Sequence, residues 1–325
     1  MYTIIKFTLF LSLIFTLVGC TTTQKMQPPT QSSIPKQNVQ VYSANNKDGK
    51  LNAHTVEIAF EKAGLTIVGN NNMNKPFQAR FAKIYYKHYN LAMFINNDIT
   101  FRLIKKYPQF GALIPLTMSI YTKSNTINIA TLTRNGMARA AHIPLDDPDL
   151  ISYEKLIKKA LHLALPDGHF KALHFQSPNE NQSYQVNFTT PVKLEDDGNW
   201  ADYIEDFEAE FEAEMEPYGF LFPNFMNLQE EIFEQHDYNK YDFYHTYSIC
   251  KFDVIFPVSK LHPEAGAWAP CSFYIYKLKN ENKIHMGFLG VNNWIHTLNI
   301  KDMQSIQPLQ KAQSTIVKIL NEITQ

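Results

Sequence analysis

Two patterns of apolar spacing alternate along this chain, and the whole series is run through twice. Short apolar or alternating stretches of strand length fall at 38–43, 65–68, 89–95, 116–121 and 127–132. Between the first two, Val56, Phe60 and Ala63 line one side of a predicted helix over 53–63, and Gly64 supplies its stop. An amphipathic helix closes the series, with Ile151, Leu156, Ile157, Ala160 and Leu161 on one face. The second series has strands at 184–190, 220–222, 244–250, 271–276 and 284–289. Its first helix places Trp200, Tyr203 or Ile204, Phe207, Phe211 and Met215 three or four residues apart and ends near Pro217 and Gly219. Its last carries Leu309, Ala312, Ile316, Ile319, Leu320 and Ile323. Helices packed on one face of a mainly antiparallel sheet make an α+β domain, here expected as two tandem copies forming a pseudo-twofold pair.

Residue identities support the duplication. Shifted by 155 positions, the chain aligns with itself without a gap from Glu57 to Tyr121. Gly64/Gly219, Tyr86/Tyr241, Tyr89/Tyr244 and Asp98/Asp253 coincide, as do Phe101/Phe256, Pro108/Pro263, Gly111/Gly266, Pro115/Pro270 and Tyr121/Tyr276. Because glycines and prolines match, the turns correspond as well as the core. A two-residue insertion after Tyr121 restores the register, pairing Ile127 with Ile284 and Leu132 with Leu289. The expected boundaries are a first domain over 38–165, a linker over 166–182 and a diverged second domain over 183–325.

The N-terminus reads differently. One lysine, an apolar run from Phe7 to Val18, then Gly19 and Cys20 make a signal-peptide pattern over 1–19, too short for a transmembrane span. Leu17-Val18-Gly19-Cys20 resembles the bacterial lipobox, which implies lipidation of Cys20 and a membrane partner through that lipid. Thr21, where an Asp would favour the inner membrane, resembles the outer-membrane default. Thr, Gln, Ser and Pro dominate from Cys20 to Gln37, a composition that builds a tether and not a core. The expected location is the periplasmic face of the cell envelope.

The first copy resembles the DUF302 family, a small α+β domain of undetermined function. The resemblance rests on Thr55-Val56-Glu57 opening the helix, on Glu61 to Ile67, on Leu91 to Asn96, on Leu103 to Pro108 and on Gly111 to Tyr121. It covers most of 38–165 and reaches 183–325 through the internal repeat. Asn70-Asn71-Asn72 stand where the family often has an Asp-His pair, and Phe94-Ile95-Asn96-Asn97 replace its Phe-Gly-Asn-Pro turn. Family members form dimers, so the resemblance implies that a tandem chain is a dimer made covalent.

Charge changes the picture where composition does not. The chain as a whole has a formal net charge of −1. Residues 38–165 nevertheless carry sixteen Lys or Arg against eight Asp or Glu, and residues 183–325 carry ten against twenty-one. From Glu195 to Asp237 there are fifteen acids and no Lys or Arg, read as a solvated acidic face. The split points to intramolecular docking of the copies or to two outside partners. We expect Lys83, Lys87, Lys105 and Lys106 to face the acidic 195–216 stretch. An exported lipoprotein is not expected to meet nucleic acid.

Catalytic signatures are missing: no GxGxxG, phosphate-binding loop, HExxH or GxSxG occurs. No metal ligand set is expected, since CxxC and the DxDxDG calcium spacing are absent and His162, His169 and His174 lack a helical metal spacing. Cys250 and Cys271 are read either as a disulfide or as two buried thiols. His88, Tyr89, Tyr244 and His245 are candidates for lining a ligand cleft between the copies. The favoured function is non-catalytic binding of a small ligand or an envelope protein. The alternative is a thiol- or metal-dependent enzyme, or a metal-binding protein, built on His245, Cys250 and Cys271. No cofactor is specified.

Overall fold

A computed structural model describes residues 37–173, 184–192 and 199–325. Cys20 and the signal-peptide region, residues 174–182 of the expected linker with His174, and Glu195, Asp196 and Asp197 lie outside the described residues. The described residues belong to one compact unit.

In the first half the order is β1 (Val39–Asn45), α1 (Ala53–Ala63), β2 (Thr66–Asn72), α2 (Asn74–Phe81), β3 (His88–Ile95), α3 (Asn97–Lys106), β4 (Leu116–Lys123), β5 (Thr126–Leu132), α4 (Arg134–Ala141), α5 (Pro148–Ala164) and β6 (His169–Lys171). The second half follows with β7 (Gln185–Pro191), α6 (Trp200–Met215), β8 (Leu221–Asn227), β9 (Tyr241–Cys250), α7 (Phe252–Leu261), β10 (Cys271–Leu278), β11 (Lys283–Leu289), α8 (Asn292–Thr297) and α9 (Met303–Ile323). A tight 3-10 turn precedes β4 at Pro108–Leu113 and another precedes β10 at Pro263–Ala267. The sheets have strand orders β2-β3-β4-β5-β1-β6 and β7-β11-β10-β9-β8, and every pairing is antiparallel. Read from the β1 or β7 side, the five shared strands follow one topology. The fold is α+β. The start of the expected linker instead adds β6 to the first sheet, pairing with Val41–Ser43 of β1.

Local chemistry explains the helix ends. Asn52 and Thr55 form a reciprocal capping box at α1, and Gly64 ends it in the left-handed region at φ 103°. Asn199 caps α6 by accepting from Ala201 and Asp202. Apolar spacing predicts none of α2, α3, α4, α7 and α8, because each has 10 residues or fewer and a helical period barely repeats over that length.

Each sheet has two working faces. On the outer face of the second sheet, Phe243 and Tyr247 of β9, Phe273 of β10 and Met286 of β11 pack against Phe211 of α6 and Ile319 of α9. On its inner face, Tyr244 and Tyr274 belong to the core shared with the first half. The first sheet is arranged likewise, with Phe94 edge-on to Phe60 of α1 at 5.2 Å and Tyr89 turned towards the second half.

The halves meet by reciprocal insertion of their 3-10 turns. The hydroxyl of Tyr89 donates to the carbonyl of Pro263 at 3.3 Å, and that of Tyr244 donates to the carbonyl of Pro108. Ser119 joins the first contact at 2.7 Å. Phe256 stacks on Phe81 at 4.0 Å, and at the matching place Phe101 stacks on His236 at 4.0 Å. The peptide bonds before Pro115 and Pro270 are both cis.

The expected pairing of Lys83, Lys87, Lys105 and Lys106 with the acidic helix is not formed among the described residues. Lys106 binds Asp147 and Asp149 of its own half at 2.6 and 2.9 Å, Lys105 lies 5.5 Å over the Tyr238 ring, and Lys83 lies 5.5 Å over Tyr85. Arg80–Asp253 at 2.9 Å and His236–Asp98 at 3.6 Å are the ion pairs that cross the junction among the described residues. The physical reason is the apolar stripe of α6, which its own sheet buries on the face away from the junction.

A side chain at either turn glycine has no room. A Cβ on Gly111 falls 2.0 Å from the Tyr244 hydroxyl, and one on Gly266 falls 2.4 Å from the Ser119 Cβ. Gly111→Ala and Gly266→Ala are each expected to destabilise the protein by about 1–3 kcal/mol, the usual cost of overpacking. Thermal unfolding checks this, and a melting temperature unchanged in both variants would contradict the close approach.

A candidate ligand groove in the second half

The helix α6 presents Glu205, Glu208 and Glu212 at spacings of three and four, so the three carboxylates share one face. That face borders the outer side of β9, where His245 and Tyr247 lie two residues apart and project the same way. The His245 Nδ1 is 2.8 Å from a Glu208 carboxylate oxygen, and burial with the neighbouring Glu208 carboxylate pushes the Tyr247 hydroxyl well above its usual range. The imidazole sits between two rings, with Phe225 and Phe243 each 5.1 Å away. Trp200 stacks on Phe243 at 5.8 Å.

All of these but Phe225 line an open groove of about 590 Å3, and Glu230 and Glu234 line it too. Its volume is in the range of small-molecule sites. Phe225, against the far side of the His245 ring and outside the groove's lining, is 48 % exposed. Asp242 at its end is neutralised by Lys277, whose ammonium also lies 6.0 Å over the Trp200 ring. Burial and the neighbouring Glu208 hold the Glu212 carboxyl above the usual range. Acids crowded beside aromatic faces and lacking a full set of counter-charges suit a cation.

The first half closes the matching place. By the 155-residue shift, Glu208, Phe225, His245 and Tyr247 correspond to Ala53, Asn70, Asn90 and Ala92. Asn90 donates to Asn70 at 3.0 Å and Asn70 donates to Glu57 at 3.1 Å, so amides satisfy one another where the second half leaves a groove.

No protein-family model matches the chain, and no curated protein does. Among solved structures it is similar to that of an uncharacterised conserved protein, DUF302, from Bacillus stearothermophilus. The identity is 14 %, over 39 % of this chain and 96 % of that one, with a TM-score of 0.32. No residue role transfers at that level.

The four residues expected to line one cleft are not brought together. Tyr89 and Tyr244 are buried at the junction with their hydroxyls on backbone carbonyls, and His88 is exposed at the start of β3. His245 alone of the four lines the groove. Glu208, Glu212 and Trp200 were passed over in the sequence because the acidic stretch reads as a solvated face.

Nor do His245, Cys250 and Cys271 form a cluster. Five residues along β9 separate His245 from Cys250, roughly 16 Å and opposite faces of the strand. The two cysteines are free thiols, and Cys271 pairs across the strands with Ile249 rather than with Cys250. Burial pushes both thiols up to about 12, so they are protonated at neutral pH and poor nucleophiles. Among the described residues no three His, Cys, Asp or Glu side chains are grouped to hold a metal ion.

The carboxyl of Glu212 gives the groove a pH signature. A carboxyl raised in the folded state opposes folding as pH climbs through its folded value, and it has no such effect well below the ordinary value of 4.5. Glu212→Gln is therefore expected to stabilise the protein at pH 7 and to leave it unchanged near pH 3. Equal effects at both pH values, read by denaturant unfolding, would remove the electrostatic account.

Proposed function

We propose that this chain is a lipid-anchored protein of the bacterial envelope, built from two tandem DUF302-like copies, that binds a cationic small molecule in the groove of its second half. The observation that carries the binding reading is the Glu208–His245 pair set among Phe225, Phe243 and Trp200 inside a wall of carboxylates. Such a site holds a cation by charge and its apolar body by ring contact.

The tandem reading is supported by the residue matches at one offset and by the shared strand order. The DUF302 reading is supported by Thr55 to Ile67 and Leu91 to Tyr121. The anchor reading is supported by Leu17 to Cys20, and no helix among the described residues is long and apolar enough to cross a membrane. On this reading the protein is held at the periplasmic face, in the outer membrane.

Two measurements test the parts separately. Cells given a palmitate analogue should label the wild-type protein and not Cys20→Ser, and equal labelling would refute the anchor. For the groove, benzyltrimethylammonium is titrated against benzyl alcohol, following the fluorescence of the tryptophans. The cation should bind at least about tenfold more tightly, and Glu208→Gln should remove most of that preference. Equal binding of the two probes would refute a cation site.

A further inference from the structure

The second half contains another cavity, distinct from the groove. It is apolar, about 50 Å3, and lies between the sheet and helices α7 and α9. Cys250, Ala269, Cys271 and Ala312 are among its walls. It adjoins an open groove of about 600 Å3, with which it shares Lys251, Val254 and Ala312. Lys311 is also in that outer groove.

Comparison with the first half shows how the space arises. The N-caps Asp147 of α5 and Asp302 of α9 are equivalent: Tyr107 binds the first at 3.2 Å, and its counterpart His262 binds the second at 3.0 Å. The 155-residue shift therefore holds for these helices too. Under it, Ile95, Ile114, Leu116, Tyr153 and Ile157, all buried in the first half, become Cys250, Ala269, Cys271, Pro308 and Ala312. Four of these positions lose bulk in the walls of the cavity and Pro308 loses it in the outer groove, while Phe220 in place of Leu65 adds some to the cavity wall.

The mouth changes in the same comparison. Lys251 stands in place of Asn96 and Lys311 in place of Leu156. Asn96 caps α3 through its side chain, whereas Lys251 gives α7 no side-chain cap, so the exchange forfeits a favourable helix contact. The Lys251 ammonium donates to the Tyr218 carbonyl, and Asp253, which Arg80 binds, Lys311 and Arg80 are charges around it.

We infer that this site takes an amphiphile, a hydrocarbon chain with an anionic head, whose tail end enters the cavity and whose head rests by Lys251 and Lys311. The cavity holds only the end of such a chain, and the outer groove receives the remainder. An apolar end and a basic mouth together select against neutral apolar solutes and against cations.

The test uses the full chain and three probes below their micellar concentrations: dodecanoate, dodecyl phosphate and dodecyltrimethylammonium. Calorimetric titration should show binding of one or both anions, at least about tenfold tighter than the cation. Whichever anion binds more tightly tells a carboxylate from a phosphate head. Ala312→Ile restores the first-half bulk and should weaken the anion about tenfold or more while leaving the melting temperature the same or higher. Lys251→Asn with Lys311→Leu, a change at the mouth that leaves the cavity intact, should abolish the preference for anions. Failure of both anions to bind, equal binding of the cation, or full affinity in Ala312→Ile would each overturn the assignment.

Discussion

Two backbone turns pressed into opposite sheets hold this molecule in its form. Gly111 and Gly266 lie where any side chain would strike the other half, and the turn carbonyls of Pro108 and Pro263 take the hydroxyls of Tyr244 and Tyr89. A buried phenol needs a hydrogen-bond partner, and a buried carbonyl needs one as well. Each half supplies the group that the other would leave unsatisfied. The inner faces of both sheets are covered by this exchange, so neither half exposes the apolar surface that a separate copy would have to hide.

A frame held that firmly can diverge elsewhere. On the outer side the first half fills its positions, with the Asn90–Asn70–Glu57 chain of amide contacts at one place and the buried Tyr153 and Ile157 at another. The second half opens both places, one into an acid-walled groove and one into an apolar cavity with lysines at its mouth. The two openings are opposite in character. Both of these openings lie in the second half.

The division of charge follows the same geometry. The acidic helix α6 keeps its apolar stripe on its own sheet, which turns its carboxylates away from the junction and towards solvent. Contacts across the junction are mainly rings, turn carbonyls and hydroxyls, with Arg80–Asp253 as an exposed pair worth little to stability. The opposite net charges of the two halves therefore do not hold them together. They leave the outer surface of the second half negative.

Burial periodicity is a local property, so the strands other than β6, with α1, α5, α6 and α9, were legible from apolar spacing, and the repeat was legible because glycines and prolines recur at one offset. The short helices α2, α3, α4, α7 and α8 were not, since none has more than 10 residues, fewer than three turns over which a helical period could repeat. Parity along β9 already separates His245 from Cys250, because odd and even residues of a strand face opposite ways. What the chain could not disclose was which distant groups meet. Glu208 finds His245 across 37 positions, and Tyr244 finds Pro108 across 136, through sheet register and the packing of one half on the other. The amino-acid sequence by itself determined the elements, their duplication and the lipobox-like start; only the tertiary structure decided that the matching tyrosines are anchors rather than a cleft, because their partners lie in the opposite half.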